Sequence, residues 1–143
     1  MTSGVIVEPT QPRMLPALTD VNRAFWTGGA GGSLYIQRCG ACQRWIHPPT
    51  ERCPTCGDLL EAEPVSGRGT LFTYTVNVHQ FHPDVKPPNL IAIVELVEQD
   101  DLRIPTNIVD CDPADLHCGL PVRVLFEHHG EIYYPVFAPD RGR

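Results

Sequence analysis

The chain changes its hydrophobic period between its N-terminal and C-terminal parts. Near the N-terminus, the apolar residues of PALTDVNRAFWT, residues 16–27, share one helical face, and Thr19 or Asp20 can cap its start. This spacing predicts one short amphipathic helix. The glycine-rich run GGAGGS, residues 28–33, should end it, because each glycine costs about 1 kcal/mol relative to alanine inside a helix. We expect this run to act as a hinge or linker.

From Pro64 onward, apolar and polar residues alternate, which is the pattern of half-buried strands. Five strands are predicted, at residues 69–79, 90–98, 102–110, 120–128 and 131–138. In the first strand, Phe72 and Tyr74 fall on the face that we expect to point into the core. Between the third and fourth strands, a single helical turn is predicted across residues 113–116, opened by Asp112 or by the cysteine before it.

Two Cys-x-x-Cys pairs lie ten residues apart in CGACQRWIHPPTERCPTCG, residues 39–57, directly after a predicted strand, LYIQR. Two such pairs complete the tetrahedral four-sulfur shell that is typical of structural zinc. The predicted ligands are Cys39, Cys42, Cys53 and Cys56. Iron in a rubredoxin-like site uses the same ligands and is the alternative to zinc. Gly40 and Gly57 should allow the tight backbone of the two turns. His47 is expected to be a surface or packing residue.

A five-stranded sheet with a short insert between strands three and four matches a small closed barrel of the OB type. An immunoglobulin-like sandwich would need two more strands. The predicted fold is therefore mainly β, with a short N-terminal helix, a rubredoxin-like zinc ribbon and a C-terminal OB-fold barrel. Residues 1–33 should hold a flexible leader, the helix and the hinge, residues 34–63 the ribbon, and residues 64–143 the barrel.

Composition and charge narrow the classes of function. Six cysteines, four of them paired, and an N-terminus without the pattern of a secretion signal favour metal thiolates in a reducing compartment, which we take to be the cytoplasm. The longest apolar run, Leu90 to Val94, is too short to span a bilayer. The net charge is −6, and residues 64–143 hold 6 basic and 11 acidic side chains. Because no segment has a basic balance, extended nucleic-acid binding is not expected.

The predicted barrel shows no recognisable catalytic motif. His79 and His82, with Asp84 nearby, lie where the first strand runs into a proline-rich loop, and we interpret this segment as an exposed connection rather than an acid–base site. Cys111 and Cys118 are expected to be small buried or half-buried thiols without a reactive role. The sequence therefore favours a binding role over catalysis by the chain alone.

The order of these motifs resembles the acyl-CoA-associated family that joins a rubredoxin-like zinc ribbon to an OB fold, long described as a domain of unknown function. The resemblance covers residues 20–139 and rests on the paired cysteine turns, the Ser-Gly-Arg-Gly linker at 66–69 and the Asp-Pro-x-Asp-Leu turn at 112–116. Members of this family pair with thiolase-like enzymes, including sterol-carrier-type thiolases and aldolases, or with hydratases of the MaoC type. The run at 28–33 is a departure, because relatives continue a helix there.

The resemblance implies an accessory, non-catalytic subunit in a heteromeric complex, which binds a thiolase-like partner and helps to bind its acyl-CoA substrate. Steroid or fatty-acid side-chain degradation is the expected pathway. Such a role needs cations for the phosphates of CoA and aromatic rings for its adenine or for a groove. The candidate contact residues are Trp26, Arg38, Arg44, Trp45 and Arg68. Each has an alternative role in packing or in a surface ion pair.

Two other functions stay open from the sequence. A zinc ribbon joined to an OB barrel also occurs in proteins that bind single-stranded nucleic acid, and Phe72 and Tyr74 are candidates for stacking on bases. The acidic balance and the expected inward facing of both rings disfavour this function. The second alternative is an independent hydratase or thioesterase acting on acyl-CoA, for which the sequence shows no acid–base pair.

Overall fold

The computed structural model of the protein describes residues 4–141. Its strands, in chain order, are β1 (Val5–Val7), β2 (Leu34–Cys39), β3 (Trp45–Ile46), β4 (Leu60–Val65), β5 (Arg68–Asn77), β6 (Asn89–Leu96), β7 (Arg103–Asn107), β8 (Pro121–His129) and β9 (Ile132–Pro139). Its helical elements are α1 (Arg23–Thr27) and two 3-10 turns, Gly28–Gly31 and Pro113–Asp115. Within the described residues, no helix has the length and apolar character needed to cross a membrane.

Strands β5 to β9 are the five strands predicted from the alternating C-terminal segments. β5 pairs with β6, β6 with β7, and β8 with both β5 and β9, and all these pairs are antiparallel. A parallel bridge between Ile108 and Phe137 joins the end of β7 to β9 and closes the barrel. The predicted turn between the third and fourth strands is present, and Asp112 caps it by accepting a hydrogen bond from the Ala114 N–H. The OB-fold prediction is confirmed.

The facing of β5 differs from the prediction. Leu71 is 1% exposed, whereas Phe72 and Tyr74 are 43% and 36% exposed. The pairing with β6 shifts register between Leu71 and Thr73, so a β-bulge interrupts the alternation at Phe72. Because side chains alternate with a period of two, one extra residue puts the residues after the bulge on the opposite face from the one that the alternation before it predicts. The predicted inward facing is therefore wrong for Phe72, whereas Tyr74 pairs with the buried Ala92 and its hydroxyl donates to the Leu116 carbonyl at 3.2 Å.

Strands β2, β3 and β4 form a small antiparallel sheet with β2 in the centre. Leu34 and Ile36 of β2 are each 1% exposed and join the same hydrophobic core as the barrel residues. Between β4 and β5, Gly67 has φ 78°, and a Cβ atom there would lie 2.5 Å from the Val124 side chain. A larger residue would therefore force the ribbon away from the barrel, which explains the glycine of the linker.

The N-terminal helix is shorter than predicted. Its regular part has five residues, Arg23–Thr27, and one turn precedes it. The predicted capping residue Thr19 accepts a hydrogen bond from the Asn22 N–H at 3.2 Å, and its own N–H donates to the Asn22 side chain at 2.7 Å. The helical path continues through Gly28–Gly31 as a 3-10 turn, where Gly29 is buried against Phe126. The glycine-rich run expected to be a hinge is packed on the barrel.

The N-terminal segment, expected to be a flexible leader, is also attached to the barrel. β1 pairs in parallel with β8. The Glu127 side chain of β8 has no exposed surface, and Thr10 and Arg13 both donate hydrogen bonds to it. The Arg13 Nε atom lies 2.6 Å from Glu127 Oε1, and His129 Nε2 lies 3.0 Å from the same oxygen. We call Thr10, Arg13, Glu127 and His129 the Glu127 cluster.

Candidate metal centre and ligand groove

The two cysteine turns bring the four predicted metal ligands together. The sulfur atoms of Cys39, Cys42, Cys53 and Cys56 all lie within 4.8 Å of one another. The Cys39 and Cys56 sulfurs are 3.5 Å apart, and those of Cys42 and Cys53 are 4.0 Å apart. A tetrahedral zinc ion with Zn–S bonds of about 2.3 Å requires sulfur–sulfur separations of about 3.8 Å. The four thiols therefore fit a closed tetrahedral metal site.

Each turn has the same backbone geometry. The Gln43 N–H donates to the Cys39 carbonyl at 2.8 Å, and the Gly57 N–H donates to the Cys53 carbonyl at 2.9 Å. Gln43 and Gly57 have φ angles of 63° and 83°, so the left-handed residue follows the second cysteine of each pair. Gly40, which we expected to fill this role in the first turn, is not left-handed. A side chain at a left-handed position costs about 1–2 kcal/mol, which the first turn tolerates at Gln43.

Backbone N–H groups point at the thiols. The Cys42 N–H donates to the Cys39 sulfur at 3.3 Å, and the Thr55 N–H donates to the Cys53 sulfur at 3.4 Å. Hydrogen bonds from the backbone of Cys56 and Thr55 lower the pKa of Cys53 to about 6, whereas hydrogen bonding to Cys56 raises the pKa of Cys42 to about 12. Without a cation the cluster therefore keeps protons on some sulfurs, and a metal ion would replace them. Four thiolates would leave no position for water or substrate, as in structural rather than catalytic zinc sites.

The candidate contact residues of the ribbon are engaged within the protein. Trp45 is 9% exposed, and its backbone exchanges hydrogen bonds of 2.9 and 3.0 Å with the Gln99 side chain of the barrel. The Arg38 guanidinium lies 4.7 Å from the centre of the Trp45 ring. Arg44 binds both carboxylate oxygens of Asp101, at 3.0 and 3.2 Å. A phosphate would have to compete with these contacts. Phosphate binding by these arginines stays a prediction.

Arg68 lies on the exposed side of the linker between ribbon and barrel. Its N–H donates to the Ser66 hydroxyl at 3.2 Å, and its carbonyl accepts from the Val97 N–H at 3.0 Å. These contacts fix the backbone of the linker. A contact of the Arg68 side chain with a ligand or a partner stays a prediction.

An apolar groove of about 700 Å³ lies where helix, ribbon and barrel meet. The lining residues used below are Val21, Phe25, Trp26, His47, Phe72, Arg103 and Tyr134. The Trp26 ring lies 4.8 Å from the Phe25 ring and 5.2 Å from the Tyr134 ring, measured between centroids. Trp26, which the sequence suggested as a groove or adenine contact, thus forms one wall. Among the described lining residues Arg103 is the one cation; it lies 3.8 Å over the Phe72 ring and 3.3 Å from Glu95.

His47 enters this groove from the ribbon, outside the cluster of metal ligands. Its ring packs against Phe25 with centroids 4.8 Å apart, so the predicted packing role is confirmed. Burial lowers the pKa of His47 to about 4, and the ring is therefore neutral near pH 7. Its Nδ1 atom is buried and has no hydrogen-bond partner among the residues that the structure describes.

The remaining candidates lie at the surface. His79 and His82 are exposed, and the His82 Nδ1 accepts a hydrogen bond from the Asp84 N–H at 3.1 Å. The exposed connection predicted for this loop is confirmed. Cys111 is half-buried, and burial raises the pKa of its thiol. Cys118 is exposed, in contrast to the expected burial.

Sequence reasoning missed most of the groove. Trp26 can be identified from the chain, but no local pattern marks Tyr134 as a wall residue or places a cavity beside His47. The available signal was the run WIHPP at 45–49, in which two prolines follow the histidine. Both prolines line the groove. Such a run predicts an irregular segment, but the sequence does not show which elements lie opposite.

Comparisons with known proteins agree with this architecture. The model of the ChsH2 rubredoxin-like zinc ribbon domain matches residues 26–61, and that of the ChsH2 C-terminal OB-fold domain matches residues 62–127. A DUF35 domain-containing scaffold protein of Methanothermobacter thermautotrophicus is 32% identical over 99 residues, which cover 66% of this chain and 71% of that protein. The chain belongs to the DUF35 family.

Longer relatives contain this DUF35 unit as one part. The probable enoyl-CoA hydratase alpha subunit of Thermomonospora curvata is 38% identical over 138 residues, covering 92% of this chain but 41% of that protein. The chain thus spans about two fifths of that relative's length. Among solved structures, a chain of the Ltp2-ChsH2(DUF35) aldolase shares 37% identity with a TM-score of 0.75, and the match covers 87% of this chain and 98% of that one.

Proposed function

We propose that this DUF35 protein is an accessory, non-catalytic subunit that binds a thiolase-like or aldolase partner and helps to bind its acyl-CoA substrate. The observation that carries the proposal is the match to the DUF35 chain of the Ltp2-ChsH2(DUF35) aldolase, of which 98% is covered at 37% identity. The pathway this would serve is the degradation of a steroid or fatty-acid side chain. The protein would act in the reducing cytoplasm, where the free thiols of the metal site persist.

The geometry supports a binding role rather than chemistry. A closed four-thiolate shell has no open metal position. The groove is lined mainly by aromatic, aliphatic and proline side chains, and its described lining includes no carboxylate that could serve as a general base. Aromatic walls with few polar groups are typical of a site that holds an apolar group in place.

We propose zinc as the ion of the four-cysteine site, one per chain, with a structural role. The sulfur separations of 3.5 and 4.0 Å fit either zinc or iron, so the choice rests on the prevalence of zinc in closed four-cysteine ribbons. Metal analysis of protein purified without added metal should give about one zinc per chain. An iron site would instead colour the protein, because ferric thiolates absorb visible light.

A hydratase partner is the second candidate. The alpha-subunit relative from Thermomonospora curvata contains a region similar to this chain within a longer protein named as a probable enoyl-CoA hydratase subunit. The same accessory role would then serve a MaoC-type enoyl-CoA hydratase, bound as a separate chain. The two candidates differ in the partner, not in the role of this chain.

For single-stranded nucleic-acid binding, the structure provides one supporting observation and two opposing ones. Phe72 is 43% exposed, so the objection that its ring points inward no longer holds, whereas Tyr74 shares the face of the buried Ala92. However, Arg103 already covers the Phe72 ring, and the net charge of −6 opposes phosphate binding. We therefore place this function behind both acyl-CoA candidates.

Copurification tests the proposal. The tagged chain should be coexpressed with each neighbouring gene for a thiolase-like protein or a hydratase, purified, and assayed for acyl-CoA turnover beside each component alone. We expect one stable heteromeric complex, and turnover that needs the enzyme partner. Turnover by the isolated chain would contradict the accessory role, and so would tight, salt-sensitive binding to a single-stranded oligonucleotide without any protein partner.

A further inference from the structure

The protonation of His47 follows from its surroundings. Neither ring nitrogen has a hydrogen-bond partner among the described residues, but only Nδ1 is sealed from solvent. A proton on Nδ1 would bury an N–H without an acceptor, which costs more than burying an unpaired lone pair. The proton of the neutral ring therefore belongs on Nε2, the accessible nitrogen. His47 presents an N–H donor within the lining of a mainly apolar groove.

The shape and charge of the groove select the kind of occupant. Its volume of about 700 Å³ lies within the range of about 300–1,000 Å³ that holds small ligands. The one charged residue among its described lining is a cation, Arg103, in a protein whose net charge is −6. An apolar molecule with an anionic end therefore matches the groove better than a neutral or cationic one, although Glu95 neutralises part of the Arg103 charge.

We propose that the groove holds the acyl group of an acyl-CoA, and that the His47 Nε2–H donates a hydrogen bond to its thioester carbonyl. This inference rests on the proposed function and specifies where and how the substrate is held. The acyl chain lies against Phe25, Trp26 and Tyr134, and the CoA portion leaves the groove. Every acyl-CoA carries this carbonyl at the junction between its apolar and anionic parts. One donor in the groove wall is therefore sufficient to fix how far the acyl chain enters the groove.

The first test blocks the groove. Val21 is a half-buried lining residue, and Val21→Trp should fill the space without removing a core side chain. Val78→Trp is the matched control, because Val78 is 73% exposed and outside the lining. Calorimetric titration of the full chain with palmitoyl-CoA below its micellar concentration should show binding that Val21→Trp weakens at least about tenfold and Val78→Trp changes less than about twofold. Equal binding by both variants and the parent would overturn the proposal.

The second test addresses the carbonyl. S-hexadecyl-CoA is a thioether that has a chain of the same length as palmitoyl-CoA but no carbonyl group. The parent should bind palmitoyl-CoA about threefold to tenfold more tightly than the thioether, as expected for one hydrogen bond. His47→Phe keeps the ring that packs on Phe25 and should abolish this preference, while the affinity for the thioether stays the same. A preference that survives in His47→Phe would rule out the hydrogen bond.

A third measurement separates this inference from the proposed function. The copurified complex should form equally well with the parent, Val21→Trp and Val78→Trp. If the parent binds no palmitoyl-CoA and only Val21→Trp fails to assemble, the groove is a partner surface and the inference fails, while the accessory role stands. If palmitoyl-CoA binds as described but no enzyme partner assembles, the proposed function fails and the groove assignment stands.

Discussion

The ribbon and the N-terminal segment both lie against the barrel, but opposite kinds of contact keep each of them ordered. The ribbon draws on four thiols from the short stretch between Cys39 and Cys56, and a metal ion from outside completes it. The N-terminal segment depends on Arg13, whose partner Glu127 is 114 residues away in sequence. The metal site is local and needs a cofactor, whereas the Arg13–Glu127 pair is long-range and uses only the chain's own side chains. Metal removal should therefore affect one region, and acid or a charge substitution the other.

The largest effect should come from breaking the metal site. Cys39→Ser removes one of four ligands, and structural zinc sites contribute about 10–16 kcal/mol of apparent binding energy to folding. We expect loss of the metal and rapid proteolysis within the ribbon, measured by metal analysis and mass spectrometry of the fragments. Cys118→Ser, at an exposed cysteine outside the cluster, should change neither. A Cys39→Ser protein that keeps its metal and its protease resistance would contradict the structural role.

The second effect concerns the Glu127 cluster. Glu127→Gln leaves Arg13 buried without a countercharge, and breaking a buried ion pair typically costs about 3–5 kcal/mol. Glu131→Gln is the matched control, because the side chains of the Arg23–Glu131 pair are 52% and 70% exposed and should contribute less than about 1 kcal/mol. Denaturant unfolding of the zinc-loaded protein gives both values. Equal losses for the two variants would mean that the Glu127 cluster contributes no more than a surface pair.

The third effect is a pH dependence confined to the same cluster. Burial alone raises the pKa of Glu127, but hydrogen bonds from Arg13, Thr10 and His129 outweigh it, and the net pKa is lowered. Its stabilisation is therefore complete above the unfolded glutamate pKa of about 4.3 and is lost as pH falls through the lower folded value. The free energy of unfolding of the parent should approach that of Glu127→Gln in this acid range. Because both proteins carry the same four cysteines, we expect acid release of the metal to affect them alike. A constant difference between them down to the lowest pH would then refute the assignment.

The smallest effect separates the two glycines of the cysteine turns. Gly57 has φ 83°, so Gly57→Ala should cost about 1 kcal/mol or slightly more. Gly40 is not left-handed, and a Cβ atom added to it would meet no atom within 4 Å, so Gly40→Ala should be neutral. Thermal unfolding of the zinc-loaded proteins compares the two. A larger loss for Gly40→Ala would reverse the roles that the backbone geometry assigns.

The same contrast between local and long-range contacts explains what the sequence could predict. The cysteine spacing and the two-residue alternation are local signals, and they led correctly to the ribbon and to the five strands of the barrel. The facing of Phe72 failed because a β-bulge is set by pairing with β6, which alternation does not show. The ion pair between Arg13 and Glu127 had no local signal in the sequence. A proline-rich segment is predicted to be irregular whether or not it packs against the barrel.

The same contrast separates the metal ligands, which the sequence could predict, from the groove, which it could not. The four metal ligands could be named from spacing alone, because each pair needs only its own turn. The groove could not, because its walls come from α1, the ribbon and four barrel strands, and meet only after folding. Trp26 was found because an aromatic residue on a short helix must pack on something. His47 was not, because its importance depends on the burial of one ring nitrogen and the exposure of the other.

The central claim is that the four-cysteine centre holds the scaffold while the partner carries out the chemistry. Exchange of the native metal for cobalt tests it most directly, because cobalt keeps tetrahedral thiolate coordination but changes the reactivity of any metal-bound water or substrate. The acyl-CoA turnover rate of the copurified complex should be measured with zinc and with cobalt in this chain. We predict rates equal within about twofold. A change of tenfold or more, with the complex intact, would show that the metal takes part in the reaction.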